Sequence, residues 1–213
     1  MEIRDPVHGS LYYSDPEVAV LDTPEYQRLR AIKQLGYAEF SFPGATHNRY
    51  LHSVGVCHLS GLAFDSIFKI YPFSKPSVKT RFRQVLRLAT LLHDVGHGPL
   101  SHTTEQVMPH LSELKILLYK EQEKYGDEAH TVMNHNRRAN HEDYTIKYVT
   151  DSNIGDTIRN QFKDIDPIHV ACLIDKALHC PDDFFVDQGV DFRPILSQLV
   201  SSEIDVDRMD YLE

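Results

Sequence analysis

Apolar residues recur at helical rather than alternating spacing through most of the chain. Leu51, Val54, Leu59, Leu62 and Ile67 follow a 3.6-residue period, which predicts a helix from about residue 49 to 70 that stops before Pro72. Val85, Leu88, Leu91, Leu92 and Val95 repeat the pattern over 80–95, and Gly96, Gly98 and Pro99 end it. Thr23-Pro24, an N-cap residue followed by proline at the first helical position, opens a further helix predicted from Pro24 to Leu35 on the stripe Leu29, Ile32 and Leu35. Others are expected over Leu111 to Tyr125 and at 141–150, 153–163, 167–178, 193–202 and 206–213. The opening, Ile3 to Ser14, differs: Asp5-Pro6 and His8-Gly9 precede Leu11-Tyr12-Tyr13 as a turn beside a short strand. The polar run Gly126 to Asn140 reads as a mobile surface insertion. The expected fold class is all-α: one mostly helical domain over 1–213 with a small N-terminal β element and a variable insertion at 106–140.

Composition narrows the function. With 213 residues, 41% hydrophobic and 25% charged, the chain can bury one sizeable core. Apolar runs fall far short of the ~20 residues that span a bilayer, so no membrane partner is expected. The start MEIRDPVHG lacks a secretory pattern, which points to a cytoplasmic location. A net charge of -9 argues against broad nucleic-acid binding, which needs a basic face, but leaves room for a local phosphate pocket. Cys57, Cys172 and Cys180 form no close pair and read as reduced structural thiols. Thirteen histidines are many for this length and are the first pointer to a site.

His93-Asp94 ends a strongly apolar helix, where an imidazole beside a carboxylate is expensive to bury without a partner. A divalent metal is such a partner. Imidazole nitrogen with carboxylate oxygen suits iron, manganese, zinc or magnesium. His52, in the first turn of the 49–70 helix, and Asp207, in Ile204-Asp205-Val206-Asp207-Arg208, are the candidates to complete the ligand set. Taken singly, each reads as a capped or hydrogen-bonded polar group; together they point to a metal. His47, His58, His110, His130, His135, His169 and His179 have no comparable constellation and read as surface or structural.

The order His52, His93-Asp94, Asp207 resembles the H…HD…D signature of HD-domain phosphohydrolases. The longer stretches from Phe42 to Ser53, Leu91 to His102 and Ile204 to Tyr211, with Asp5-Pro6-Val7-His8-Gly9 and Asp22 to Arg30, look like the deoxynucleoside triphosphate triphosphohydrolase (dNTPase) branch. This resemblance implies the HD helical fold and hydrolysis of a dNTP to a deoxynucleoside and triphosphate. It places Arg49, His97 and Arg208 on phosphate, and Gln34 and Tyr211 on the sugar. His102 becomes the acid for the leaving 5′-oxygen, Glu105 its orienting carboxylate and His141 a further member of the proton network. Asp22, Gln27 and Arg30 match positions that hold an activating guanine nucleotide between subunits, so a GTP activator and a homo-oligomer are expected partners. Arg4 and Ser10 depart from that pattern. The chain ends at Glu213, six residues after Asp207, where the family continues with further helices, so the C-terminal extension is expected to be lacking. An HD phosphohydrolase or phosphodiesterase acting on another nucleotide or phosphate ester, and a non-catalytic nucleotide-binding module, are the alternatives.

Overall fold

The computed structural model describes residues 1–44, 46–122, 137–202 and 205–212. As the apolar spacing predicts, the body is helical. Two long helices form its centre: α3 (Arg49–Ile67), following the short helices α1 (Asp15–Leu21) and α2 (Pro24–Gln27), and α4 (Pro76–Leu92). Asn48 caps α3 by accepting from the Leu51 N–H at 3.0 Å, and Pro76 opens α4. α3 is buried on several sides, down to Gly55 and Gly61, as expected of a central rather than an amphipathic surface helix.

The helices are tied by polar contacts as well as apolar ones. Ser60 and Thr90 share a 2.8 Å hydrogen bond across α3 and α4, and Arg87 of α4 donates to Glu17 of α1 at 2.5 Å, both side chains buried. α5 (Leu111–Leu114), α6 (Leu117–Gln122), α7 (His141–Asp151), α8 (Asn153–Gln161), α9 (Pro167–Ile174), α10 (Arg193–Val200) and α11 (Val206–Leu212) complete the body, with α9 packed on α4 and α11 on α3. No helix among the described residues is long and apolar enough to cross a membrane.

The N-terminal β element is a hairpin, β1 (Glu2–Asp5) and β2 (Gly9–Tyr12), in the register Glu2 to Tyr12 through Asp5 to Gly9. The second hairpin, β3 (Val186–Asp187) and β4 (Val190–Asp191), lies where no strand was expected. Its two-residue turn, Gln188-Gly189, is left-handed at both positions (φ 51° and 79°), which closes such a ladder with the right twist.

Three expectations need correction. The helix predicted over Pro24–Leu35 stops at Gln27, continues as a 3₁₀ turn over Arg28–Ala31, and becomes extended at Ile32. The chain there pairs with the approach to α3: Arg49 N–H donates to Ile32 O at 2.9 Å and Gln34 N–H to His47 O at 3.2 Å. The helix expected from Leu111 breaks at Lys115, whose φ is 50°. Residues 137–140 do not stand off from the body. Ala139 is buried and donates to Pro109 O at 2.9 Å. The rest of the expected mobile insertion, from 126 to 136, lies outside the described residues, as do His130 and His135.

Candidate active site

The first turn of α3 meets the last turn of α4, and the His52 and His93 rings come within 5.5 Å. α11 delivers Asp207, whose Oδ1 lies 2.7 Å from His52 Nε2 and 3.7 Å from His93 Nε2. Asp94 oxygens lie 3.7 Å from His52 Nε2 and 3.6 Å from His93 Nε2. Four residues from three separated stretches of the sequence thus converge on one point.

Both imidazoles are fixed from behind. His93 Nδ1 donates to Thr90 O at 2.7 Å, and His52 Nδ1 to Asp210 Oδ2 at 2.8 Å. Each ring therefore turns Nε2 inward, and both Nε2 atoms are buried and lack a hydrogen-bond partner of good geometry, although Asp207 Oδ1 lies 2.7 Å from that of His52. Orphaned nitrogens facing two carboxylates fit a divalent cation, which takes lone pairs from both kinds of donor. The electrostatics agree. Burial alone would lower the His52 pKa, but Asp207 and Asp210 outweigh it and raise it to about 9, while the Asp207 and Asp94 carboxyls sit well below their ordinary range. Such a point attracts positive charge, whether protons or a metal.

Asp94 joins this cluster to a second one. Its Oδ2 accepts from Arg49 Nη1, and its Oδ1 lies 3.3 Å from His97 Nε2. His97 is buried, and burial above all pulls its pKa down to about 4, so it stays neutral at neutral pH. Its ring stacks on His141 at 3.9 Å, with His102 edge-on to both at 4.8 and 5.1 Å. Glu105 Oε1 accepts from His141 Nδ1 at 2.5 Å and from His102 Nδ1 at 3.1 Å. Burial would raise the Glu105 carboxyl, but the His141 and His102 hydrogen bonds hold it below its ordinary value. A carboxylate shared by two imidazoles is suited to passing a proton between them.

Local sequence builds this second cluster. A Cβ on Gly96 would fall 1.9 Å from His141 O, so only glycine lets the start of α7 settle against the turn after α4. Thr145 locks the contact by donating to His93 O at 3.0 Å and accepting from Gly96 N at 2.9 Å. Leu100 and Ser101 are consecutively left-handed, and the turn brings Ser101 Oγ onto Arg49 Nη2 at the start of the 3₁₀ helix Ser101–Val107 that carries His102 and Glu105.

Gln34, Arg49, His93, Asp94, His97, His102, His141 and Asp207 border one cavity of about 240 Å³. Gln34 Oε1 is buried there without a partner. Arg208 is an exposed residue of α11 outside the cavity wall, and Tyr211 is on the same helix with its side chain outside the described ones. Asp22, Gln27 and Arg30 also lie away from the cavity. There Arg30 donates to Gln27 Oε1 at 2.7 Å and stacks 3.6 Å over the Tyr50 ring. A larger cavity of about 630 Å³ lies elsewhere, and its Arg87 and Arg83 are already paired with Glu17 and Asp65.

Two contributors escaped the sequence reading. Arg28 donates to the carbonyls of His97, at 2.5 Å, and of Val95, clamping the turn that carries His97. Asp210 holds His52 and also accepts from His8 Nε2 at 2.7 Å. Its spacing of three residues from Asp207 puts both carboxylates on one helix face and was the available signal.

The HD domain family model matches residues 49–213. The chain is 44% identical over 101 residues, 46% of its own length, to the deoxynucleoside triphosphate triphosphohydrolase SAMHD1 of Xenopus laevis, of which this covers 15%. It is 31% identical over 213 residues to the SAMHD1 homolog of Dictyostelium discoideum, covering 99% of this chain and 35% of that one. Against the uncharacterized protein YwfO of Bacillus subtilis the identity is 33% over 215 residues, covering 99% and 38%. The chain thus spans well under half the length of these relatives. Among solved structures, a hypothetical protein from Aquifex aeolicus superposes with a TM-score of 0.66 and 26% identity over all of this chain and 44% of that one. With a family match over more than half its length and the His52, His93-Asp94, Asp207 arrangement in place, the chain belongs to the HD-domain family.

Proposed function

We propose that the chain carries the catalytic centre of a metal-dependent phosphohydrolase that takes dNTPs to a deoxynucleoside and inorganic triphosphate. One observation supports this above the others: a His/carboxylate cluster with orphaned nitrogens and a His-Glu-His cluster meet where Asp94 Oδ1 lies 3.3 Å from His97 Nε2, and members of both line one cavity. The names of the Xenopus and Dictyostelium relatives support the dNTP part.

In this reading His52, His93, Asp94 and Asp207 hold the metal. A bound divalent ion would polarise a phosphate oxygen and lower the pKa of water nearby. Arg49 and Arg208 supply positive charge toward the phosphates and neutral His97 a polar contact, while Gln34 and Tyr211 face the sugar. A water oxygen bonds to the α-phosphorus, its proton passing to solvent, as the bond from phosphorus to the 5′-oxygen breaks. His102 gives its proton to that leaving oxygen, and Glu105 and His141 orient and recharge it. Asp22, Gln27 and Arg30 form the edge that would take GTP between subunits of a homo-oligomer.

The cavity volume favours a second reading. About 240 Å³ lies under the ~300–1,000 Å³ usual for a drug-sized ligand and suits a smaller phosphate ester. The test is to incubate Mn²⁺-loaded protein with each dNTP, with and without GTP, and to separate products by ion exchange. Deoxynucleoside with intact triphosphate is expected. Phosphate or pyrophosphate moves the assignment to another HD phosphohydrolase or phosphodiesterase, and nucleotide binding without any product makes the chain a non-catalytic nucleotide-binding module.

A further inference from the structure

We propose that Asp210 and His8 are positioning residues of the metal centre, so that the N-terminal hairpin sets the tautomer and aim of His52. The proposal rests on His52 being a metal ligand.

Asp210 Oδ2 accepts from His52 Nδ1 at 2.8 Å and Oδ1 accepts from His8 Nε2 at 2.7 Å. An ionised carboxylate only accepts, so the proton on His52 sits at Nδ1 and the lone pair at Nε2, the atom that faces Asp94 and Asp207. Held by one oxygen alone, the carboxylate could rotate about its Cβ–Cγ bond; the second hydrogen bond, from His8, removes that freedom. Side-chain exposures of 6% for His8, 12% for Asp210 and 3% for His52 leave little room for water to substitute for either partner.

The surroundings are built for this contact. Asp5 Oδ1 accepts from the Val7 and His8 N–H groups at 2.8 and 2.9 Å, which fixes the hairpin turn and the direction in which His8 leaves it. On α3, a Cβ at Gly55 would lie 2.0 Å from Asp210 Oδ1 and 3.2 Å from His8 Cδ2, so the absence of a side chain there makes the space in which the two meet. The hairpin thereby joins a centre whose other members come from α3, α4 and α11, although it lies ahead of the matched family region.

The experiment is titration of the metal-free full chain with Mn²⁺ by calorimetry, beside thermal unfolding of the metal-free protein. His8→Phe keeps a ring in place and removes the donor; His8→Gln keeps an amide donor at similar reach. We expect His8→Phe and Asp210→Ala to weaken Mn²⁺ binding about 10- to 100-fold, with metal-free Tm close to wild type for His8→Phe, and His8→Gln to recover most of the affinity. Mn²⁺ should also slow amide hydrogen exchange at Val7 and His8, since coupling between hairpin and metal is reciprocal. Wild-type affinity in His8→Phe, or equal weakening in His8→Gln and His8→Phe, overturns the proposal while leaving the ligand reading intact. Wild-type protein that binds no Mn²⁺, Fe²⁺ or Zn²⁺ overturns both.

Discussion

The two histidine clusters are neighbours built on opposite plans. His52 and His93 sit on the two longest helices, each ring pinned through Nδ1 by a backbone carbonyl or a carboxylate. His102 and Glu105 ride on a 3₁₀ helix, and the His102 side chain is 68% exposed. Metal ligands gain from being held rigid before the ion arrives, because distance errors of a few tenths of an ångström weaken coordination. A proton donor must instead reach an atom that comes with the substrate, and its hydrogen bonds tighten only in that complex. In the proposed function the core therefore holds the metal, and the rim supplies the acid.

This contrast is most sharply broken at Asp207. Asp207→Ala should abolish stoichiometric Mn²⁺ binding in calorimetry and lower turnover by roughly 10³-fold or more, with the helical circular dichroism unchanged; tight binding by the variant would detach Asp207 from the centre. Next is His102→Ala, expected to cut kcat by about 10²- to 10⁴-fold while Mn²⁺ affinity stays at the wild-type value. A matching loss of metal would show that the two clusters are one unit.

A smaller effect on activity, and a larger one on stability, is expected at the Glu17–Arg87 pair, which braces α1 against α4. Burial would raise the Glu17 carboxyl, but Arg87 and Ser14 outweigh it and hold it below its ordinary value of 4.5. Glu17 thus contributes stability that is complete above about pH 4.5 and is lost as pH falls through the lower folded-state value. Arg87→Met alone strands the buried carboxylate and should cost about 3–5 kcal/mol in urea unfolding at pH 7. The double variant Glu17→Gln, Arg87→Met should recover much of that loss and decline less than wild type between pH 5 and about pH 3. An identical acid decline in the two proteins would show that the pair is not the source.

Long-period features were legible in the sequence because their causes are local. The stripe of α4 and the Gly96 break each lie within a few residues of what they determine, whereas Leu62 and Ile67 of the expected α3 stripe are exposed and α4 starts at Pro76, ahead of the expected residue 80. The four-residue cluster at His52, His93, Asp94 and Asp207 was legible as motif order, and the shared cavity as none of it. Arg28 illustrates the rest. Its guanidinium reaches carbonyls 67 and 69 residues away, and no window of the sequence around it holds that information. His8 is harder still, since its partner lies 202 residues on. The β3–β4 hairpin was readable in principle from Gly189, but Gln188 in a left-handed conformation is an uncommon choice that hides the turn.

The separation of His52 from Asp210 by 158 residues also orders events in time. A ribosome releases the chain from its N-terminus, so the two imidazoles and Asp94 emerge long before the carboxylates of α11 exist. During that interval α3 and α4 can already pack and Arg49 can already pair with Asp94, while His52 and His93 still lack the carboxylates of α11. Closing so long a loop carries an entropic penalty that rises only logarithmically with its length. Docking of α11 is then the act that completes the proposed centre, and metal capture waits on it.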